Sequence, residues 1–130
     1  MKTIFSKIIN QEIPCYLVAE NNFAIAFMDI NPISKGHVLV VPKTQVDYIF
    51  DLNSKTYHDL WSFTRLVADG LRKSVVCKRV GVSVVGLEVP HAHIHLIPLE
   101  TVEDYNFSKP MLKLDPDMLK GIAEKIISGF

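Results

Sequence analysis

The spacing of apolar residues changes rhythm twice along this chain. Up to residue 42 they come in short runs between turn residues. YLVAE (16–20) and FAIAFMDI (23–30) flank Asn21 and Asn22, and HVLVVP (37–42) follows the loop-forming NPISKG (31–36). Such runs, rich in β-branched and aromatic side chains, predict three strands. From about 54 to 76 the interval lengthens to three and four: Tyr57, Leu60, Trp61, Thr64, Val67, Ala68, Leu71 and Val75 form one apolar stripe. That stripe predicts a long helix, with Asn53 or Ser54 able to cap its start. VGVSVVG (80–86) and VPHAHIHLIPL (89–99) then return to strand rhythm, the second ended by Pro98. The tail predicts a second helix, with Asp115 as N-cap, Pro116 at the first position, and Met118, Leu119, Ile122, Ala123, Ile126 and Ile127 as its stripe. Residues 3–10 predict a short helix or turn before Pro14.

Strands, a long helix, then strands make an α+β fold: a mostly antiparallel five-stranded sheet, one long helix and a C-terminal helix. At 130 residues the expectation is a single domain, 1–130, in which 101–130 form a C-terminal extension carrying the short helix. Fourteen basic and fourteen acidic side chains give a formal net charge of zero. That balance excludes a broad nucleic-acid or anionic-membrane surface, but not a small phosphorylated ligand. The N-terminal stretch lacks a signal-peptide core, and no apolar run reaches the roughly 18 residues that span a bilayer. Cys15 and Cys77 are too few for a disulfide scaffold. The expected setting is cytoplasmic, with both thiols reduced.

The chemistry is concentrated in VPHAHIHLIPL, where His91, His93 and His95 occupy every second position. On a strand all three share one face, while Ala92, Ile94 and Leu96 take the other. Burying three imidazoles side by side is costly unless each finds a partner, so the row implies a site. Two chemistries use such a row. Three neutral imidazoles can hold zinc and leave a position for water. Alternatively, one can attack phosphorus while the others orient it or hold the phosphate.

PHAHIHLIP resembles the histidine-triad (HIT) motif. IFSKIINQEIP is similar to that family's opening segment, AFMDINPISKGHVLVVPK to its central block and GLEVPHAHIHL to its closing block, so the resemblance spans about residues 4 to 99. It implies a HIT-like fold, usually homodimeric, and a nucleotide hydrolase of the nucleoside phosphoramidase or dinucleoside polyphosphate hydrolase type. The reaction would pass through a covalent nucleotidyl-histidine and need no cofactor or metal. By position, the resemblance makes His93 the nucleophile and His91 and His95 its supporting and phosphate-contacting neighbours, with His37 completing a quartet. Asp29, with Ile30 beside it, matches the ribose site. Phe5, Ile8, Phe27 and Leu39 match the base pocket of a purine nucleotide, adenosine above all. Glu88 and Val89 fall where the phosphate is bordered. Neither nucleic acid nor membrane is an expected partner.

The chain departs from the family pattern in two places. Zinc-binding relatives carry cysteines and a histidine where this sequence has Thr3, Ser6 and Gln45, so no structural zinc is expected. Relatives commonly show Gly-Gln-Ser/Thr-Val before the triad, whereas this chain has Gly86-Leu87-Glu88-Val89. A carboxylate beside a phosphate repels it unless Glu88 turns outward and offers only its backbone N–H. Two alternatives follow. One is a nucleotide-binding protein with little turnover. The other is a metal-dependent small β-barrel enzyme, suggested by His93-x-His95 with Glu100 but at odds with the long helix.

Overall fold

A computed structural model describes residues 2–108 and 110–130. The elements run α1 (Ile4–Ile9), β1 (Leu17–Glu20), β2 (Ala24–Met28), β3 (Val38–Pro42), α2 (Ser54–Ser74), β4 (Arg79–Ser83), β5 (Ile94–Leu99) and α3 (Pro116–Ile127), with single 3₁₀ turns at Ile49–Asp51 and Val102–Asp104. The strands form one sheet in the order β1-β2-β3-β5-β4, every neighbouring pair antiparallel. The α+β architecture read from the residue pattern is the one the chain adopts.

The sheet is covered on both sides, which explains why every residue of β2 and β3 is buried. Strand parity divides the two cores. Ala24, Ala26, Met28, Val38 and Val40 join Leu60, Val67 and Leu71 of α2 and Leu119, Ala123 and Ile126 of α3 in the larger core. Ile25, Phe27, Leu39 and Val41 turn the other way and pack with Phe5 and Ile8 of α1. The functional side chains lie on this second, thinner side.

Both long helices start as the sequence predicts, through side-chain caps from Asn53 to Thr56 N–H and from Asp115 to Met118 N–H. Phe63 joins the buried stripe of α2, beyond the residues picked out by spacing. α3 packs along α2, with Leu119, Ala123 and Ile126 in the same core as Leu60, Val67 and Leu71. Gly70 allows this close approach, since a Cβ there would collide with the Phe130 ring.

Strands β2, β4 and β5 fall short of their residue pattern, β2 spanning Ala24–Met28 where 23–30 was expected. Residues 80–86 were expected to be extended throughout, but β4 ends at Ser83, and Gly86 adopts a positive φ of 70°. The histidine strand, expected from residue 89, is paired only from Ile94. Pro90 has no N–H to give a ladder, and the next two donors leave the sheet. His91 N–H donates to the Val89 carbonyl at 2.8 Å, and Ala92 N–H to the Val46 carbonyl at 2.7 Å. The chain alternates all the same: Ala92, Ile94 and Leu96 enter the larger core, while His91 and His93 meet Phe5 on the other side.

Candidate active site

The second side of the sheet opens into a cavity of about 530 Å³. Eleven of the twelve positions singled out from the sequence line it: Phe5, Ile8, Phe27, Asp29, Ile30, His37, Leu39, Glu88, Val89, His93 and His95. The exception is His91. Its ring is wholly buried behind the cavity wall, so it cannot be a phosphate contact. Packing of α1 on β2 and β3 brings Phe5, Ile8, Phe27 and Leu39 into one apolar wall. Phe5 sits between this wall and the histidines, with centroids 5.8 Å from Phe27 and 4.9 Å from His93.

Hydrogen bonding fixes the proton on each imidazole. His93 Nδ1 lies 2.8 Å from the His91 carbonyl, which can only accept, so Nδ1 carries the hydrogen and Nε2 keeps a lone pair. His91 Nε2 donates to the Pro42 carbonyl at 2.8 Å, leaving Nδ1 to accept from the Thr3 hydroxyl at 3.1 Å. His37 Nδ1 accepts the Ile33 N–H at 3.2 Å, so its Nε2–H donates to His95 Nδ1 at 2.9 Å. By elimination, neutral His95 holds its proton on Nε2. One ring thus offers a lone pair, and its neighbour, with centroids 5.0 Å away, offers an N–H.

Burial favours the neutral form of His37, His91 and His95. It lowers the pKa of His37 to about 4 and, with the nearby His37 and His93 rings adding to it, that of His95 to about 4. His91 is lowered too, mainly by burial, against the opposing hydrogen bond to Pro42. Burial raises Asp29 above the usual carboxylate range, offset by the Asn31 N–H and by His95 and His93. Asp29 Oδ1 accepts that Asn31 N–H at 2.8 Å and braces the turn, while Oδ2 lies 3.5 Å from His37 Nε2.

Asp29, His37 and His95 have donor atoms within 4.8 Å of one another, close enough to share a metal ion. The tautomers oppose this. His37 Nε2 already carries the hydrogen, and Ile33 holds the other nitrogen as an acceptor, so coordination would cost one of the two bonds. Thr3 and Ser6, at two positions where zinc-binding relatives have cysteines, are instead joined by a capping box, and Thr3 supports His91.

Other side chains stand apart from this wall or were not anticipated. Ser83 accepts the Tyr105 hydroxyl at 2.8 Å. Lys43 pairs with Glu20 at 2.8 Å, His58 is exposed on α2, and Cys15 and Cys77 are free thiols. Phe107 and Met111 line the cavity from the C-terminal extension. Their signal in the sequence was faint: isolated apolar residues in a polar stretch with no periodicity.

Removing the Thr3 hydroxyl would leave His91 Nδ1 buried without a donor. Thr3→Val is therefore expected to lower unfolding free energy by about 1–2 kcal/mol in a denaturant titration. The change also removes the Thr3 cap on Ser6 N–H, so an unchanged midpoint would show that neither bond contributes.

Comparison with known proteins agrees with this fold. The family model described as the HIT domain matches residues 10–102. The chain is 33% identical over 132 residues to the adenosine 5′-monophosphoramidase of Schizosaccharomyces pombe, covering 98% of each. It is 32% identical over 106 residues to the purine nucleoside phosphoramidase of Escherichia coli, covering 74% of this chain and 86% of that protein. Among solved structures, a Hit-like protein involved in cell-cycle regulation from Bartonella henselae superposes with a TM-score of 0.86 at 28% identity, over 99% of this chain and 97% of that one.

Proposed function

The chain belongs to the histidine triad family, and on that premise we propose that it hydrolyses the bond between a purine nucleoside monophosphate and an amine, acyl or phosphate leaving group through a nucleotidyl-His93 intermediate. The observation that carries this reading is the tautomer of His93. Its Nδ1–H is held by the His91 carbonyl, so the Nε2 lone pair is free on the ring that faces the cavity. The phosphoramidase names of the two relatives support the reaction class.

The base lies against Phe5, Ile8, Phe27 and Leu39, whose apolar and aromatic surfaces can sandwich a purine. The second carboxylate oxygen of Asp29 accepts from the ribose hydroxyls, as acidic residues do in dinucleotide sites. His93 Nε2 attacks phosphorus, forming an N–P bond as the bond to the leaving group breaks. His95 Nε2–H donates to the charge that develops on a phosphoryl oxygen. Water then attacks the same phosphorus, the N–P bond breaks, and His93 is regenerated with nucleoside monophosphate as product. Over the whole cycle the leaving group gains the proton that water loses. His91 acts as a positioning residue, through its carbonyl.

The test is a single-turnover reaction with adenosine 5′-phosphoramidate, quenched and read by mass spectrometry of the protein. The expected result is an adenylyl adduct on His93, formed equally fast after chelator treatment. Binding of adenosine monophosphate without cleavage would favour the binding-protein reading. Activity lost to chelator and restored by zinc would replace imidazole attack with metal chemistry.

Glu88 is exposed at the edge of the cavity. Glu88→Ser is therefore expected to change kcat/KM for that substrate by less than about threefold, as surface substitutions usually do. A salt-sensitive gain above tenfold would place the carboxylate on the phosphate.

We also propose a homodimer. β4 is an edge strand, and Val82, Val84 and Val85 are 49, 38 and 46% exposed along and just beyond it. An open, apolar edge is a template for pairing with a second copy. Light scattering at micromolar concentration should give twice the monomer mass; a monomer mass would overturn this.

A further inference from the structure

A buried polar residue outside the cavity meets the triad from behind. Thr3 is 6% exposed and caps α1, ahead of the residues, 10–102, that the family model matches. Its hydroxyl has one hydrogen, and the neighbours decide where it goes. Ser6 Oγ accepts the Thr3 N–H at 2.7 Å and donates to the Thr3 carbonyl at 2.9 Å, so its own hydrogen is used there. Thr3 Oγ1 accepts the Ser6 N–H at 3.1 Å. The Thr3 hydrogen is left for His91 Nδ1 at 3.1 Å, Ser6 Oγ being the more distant acceptor at 3.4 Å. The other nitrogen of that ring must donate to the Pro42 carbonyl, so Nδ1 is free to accept.

His91 depends on this brace because the sheet ladder gives it no bond. Pairing in β5 begins at Ile94, and the His91 N–H turns aside to the Val89 carbonyl at 2.8 Å. The ring carries the ties to the rest of the fold, to the end of β3 through Pro42 and to the start of α1 through Thr3. The His91 carbonyl in turn receives the Nδ1–H of His93 at 2.8 Å and so sets the direction of the Nε2 lone pair. A tilt of that carbonyl turns the imidazole with it. The same helix places Phe5 with its ring centroid 4.9 Å from that of His93 and 6.0 Å from that of His91. One short element thus touches both rings.

We propose that Thr3 is a positioning residue for the reaction: its hydroxyl, acting through His91, holds the carbonyl that aims the His93 lone pair at phosphorus. The inference rests on the phosphoryl-transfer reading above, which makes His93 the nucleophile. A helix cap alone would act elsewhere. Phe5 and Ile8 of α1 belong to the apolar wall assigned to the base, so a frayed α1 weakens nucleotide binding and raises KM. A misaimed lone pair lowers kcat instead, because the error is felt as the N–P bond forms.

Steady-state cleavage of adenosine 5′-phosphoramidate is measured for wild type, Thr3→Val, Thr3→Ser, His91→Phe and the chain carrying both Thr3→Val and His91→Phe. Thr3→Val should lower kcat about 10–100-fold, the scale of a reacting group displaced by up to about 1 Å, with KM changed less than about threefold. Thr3→Ser, which restores the donor, should return kcat to within about threefold of wild type. With His91→Phe the path is already cut, and adding Thr3→Val should change kcat less than about twofold. NMR of the ring nitrogens gives a second readout that needs no turnover. His93 should carry its hydrogen on Nδ1 in wild type and Thr3→Ser, and share it between both nitrogens in Thr3→Val. If wild type cleaves nothing while this NMR pattern holds, the link from Thr3 to His93 stands and the hydrolase reading falls. A Thr3→Val loss confined to KM, an equal kcat loss with and without His91, or His93 signals indifferent to Thr3 would each overturn the inference.

Discussion

Replacing His93 by alanine is expected to abolish turnover, by at least ~10⁴-fold in kcat, with nucleotide affinity changed less than about tenfold. The two effects separate because the ring serves them differently. In the ground state His93 contributes an edge against Phe5 at 4.9 Å, one contact in a wall shared with Ile8, Phe27 and Leu39. In the reaction it supplies the attacking lone pair, and no neighbour can stand in. His91 has both nitrogens engaged, one with Pro42 and the other with Thr3. His95 Nδ1 is held by His37, and its Nε2 bears a proton. Binding is measured by calorimetry with adenosine monophosphate, turnover by product release. Parallel losses in both would mean that the ring is chiefly a ligand contact, and retained turnover would move the nucleophile elsewhere.

The residues carried this reading a long way, for physical reasons that differ from element to element. Period-two and period-four runs announced β2, β3, α2 and α3 because each buries a defined face, and a face leaves a mark on residue order. Among the cavity side chains, three imidazoles in a row needed a reason on chemical grounds alone, whereas Asp29, His37 and the apolar wall were singled out by the resemblance to the family. The role of His91 was not legible. Alternation gave its side of the sheet correctly, yet its depth depends on Thr3 and Pro42, which are 88 and 49 residues away in sequence. The lost ladder before Ile94 turned on a backbone donor reaching Val46, and no residue type encodes that. Phe107 reaches the site along irregular chain pinned by Tyr105 and Leu112, so periodicity could not reveal it. Asp29 serves twice, bracing a turn with one oxygen while the residue lines the cavity.

Acid is expected to destabilise the fold through the histidine pair, well above the range where carboxylates titrate. His37 and His95 are pulled by burial from about 6.5 to about 4. Between those values the unfolded chain binds two protons that the folded chain refuses. Unfolding therefore takes up protons, and stability must fall as pH falls. The contribution is fully present above pH 6.5 and drains away towards pH 4, with a limiting slope of about 1.4 kcal/mol per pH unit for each ring. His91, lowered in the same direction, steepens the loss. Asp29 opposes it: its raised pKa makes the folded state hold a proton that the unfolded state has released. Three histidines against one carboxylate leave the balance with destabilisation. Urea titrations at pH 7 and pH 5 should show a midpoint clearly lower at pH 5, and His95→Asn, which removes one of the rings that must charge, should flatten the difference. Equal midpoints at the two pH values would show that the pair accepts a proton within the fold, and the neutral tautomers assigned to His37 and His95 would then be wrong.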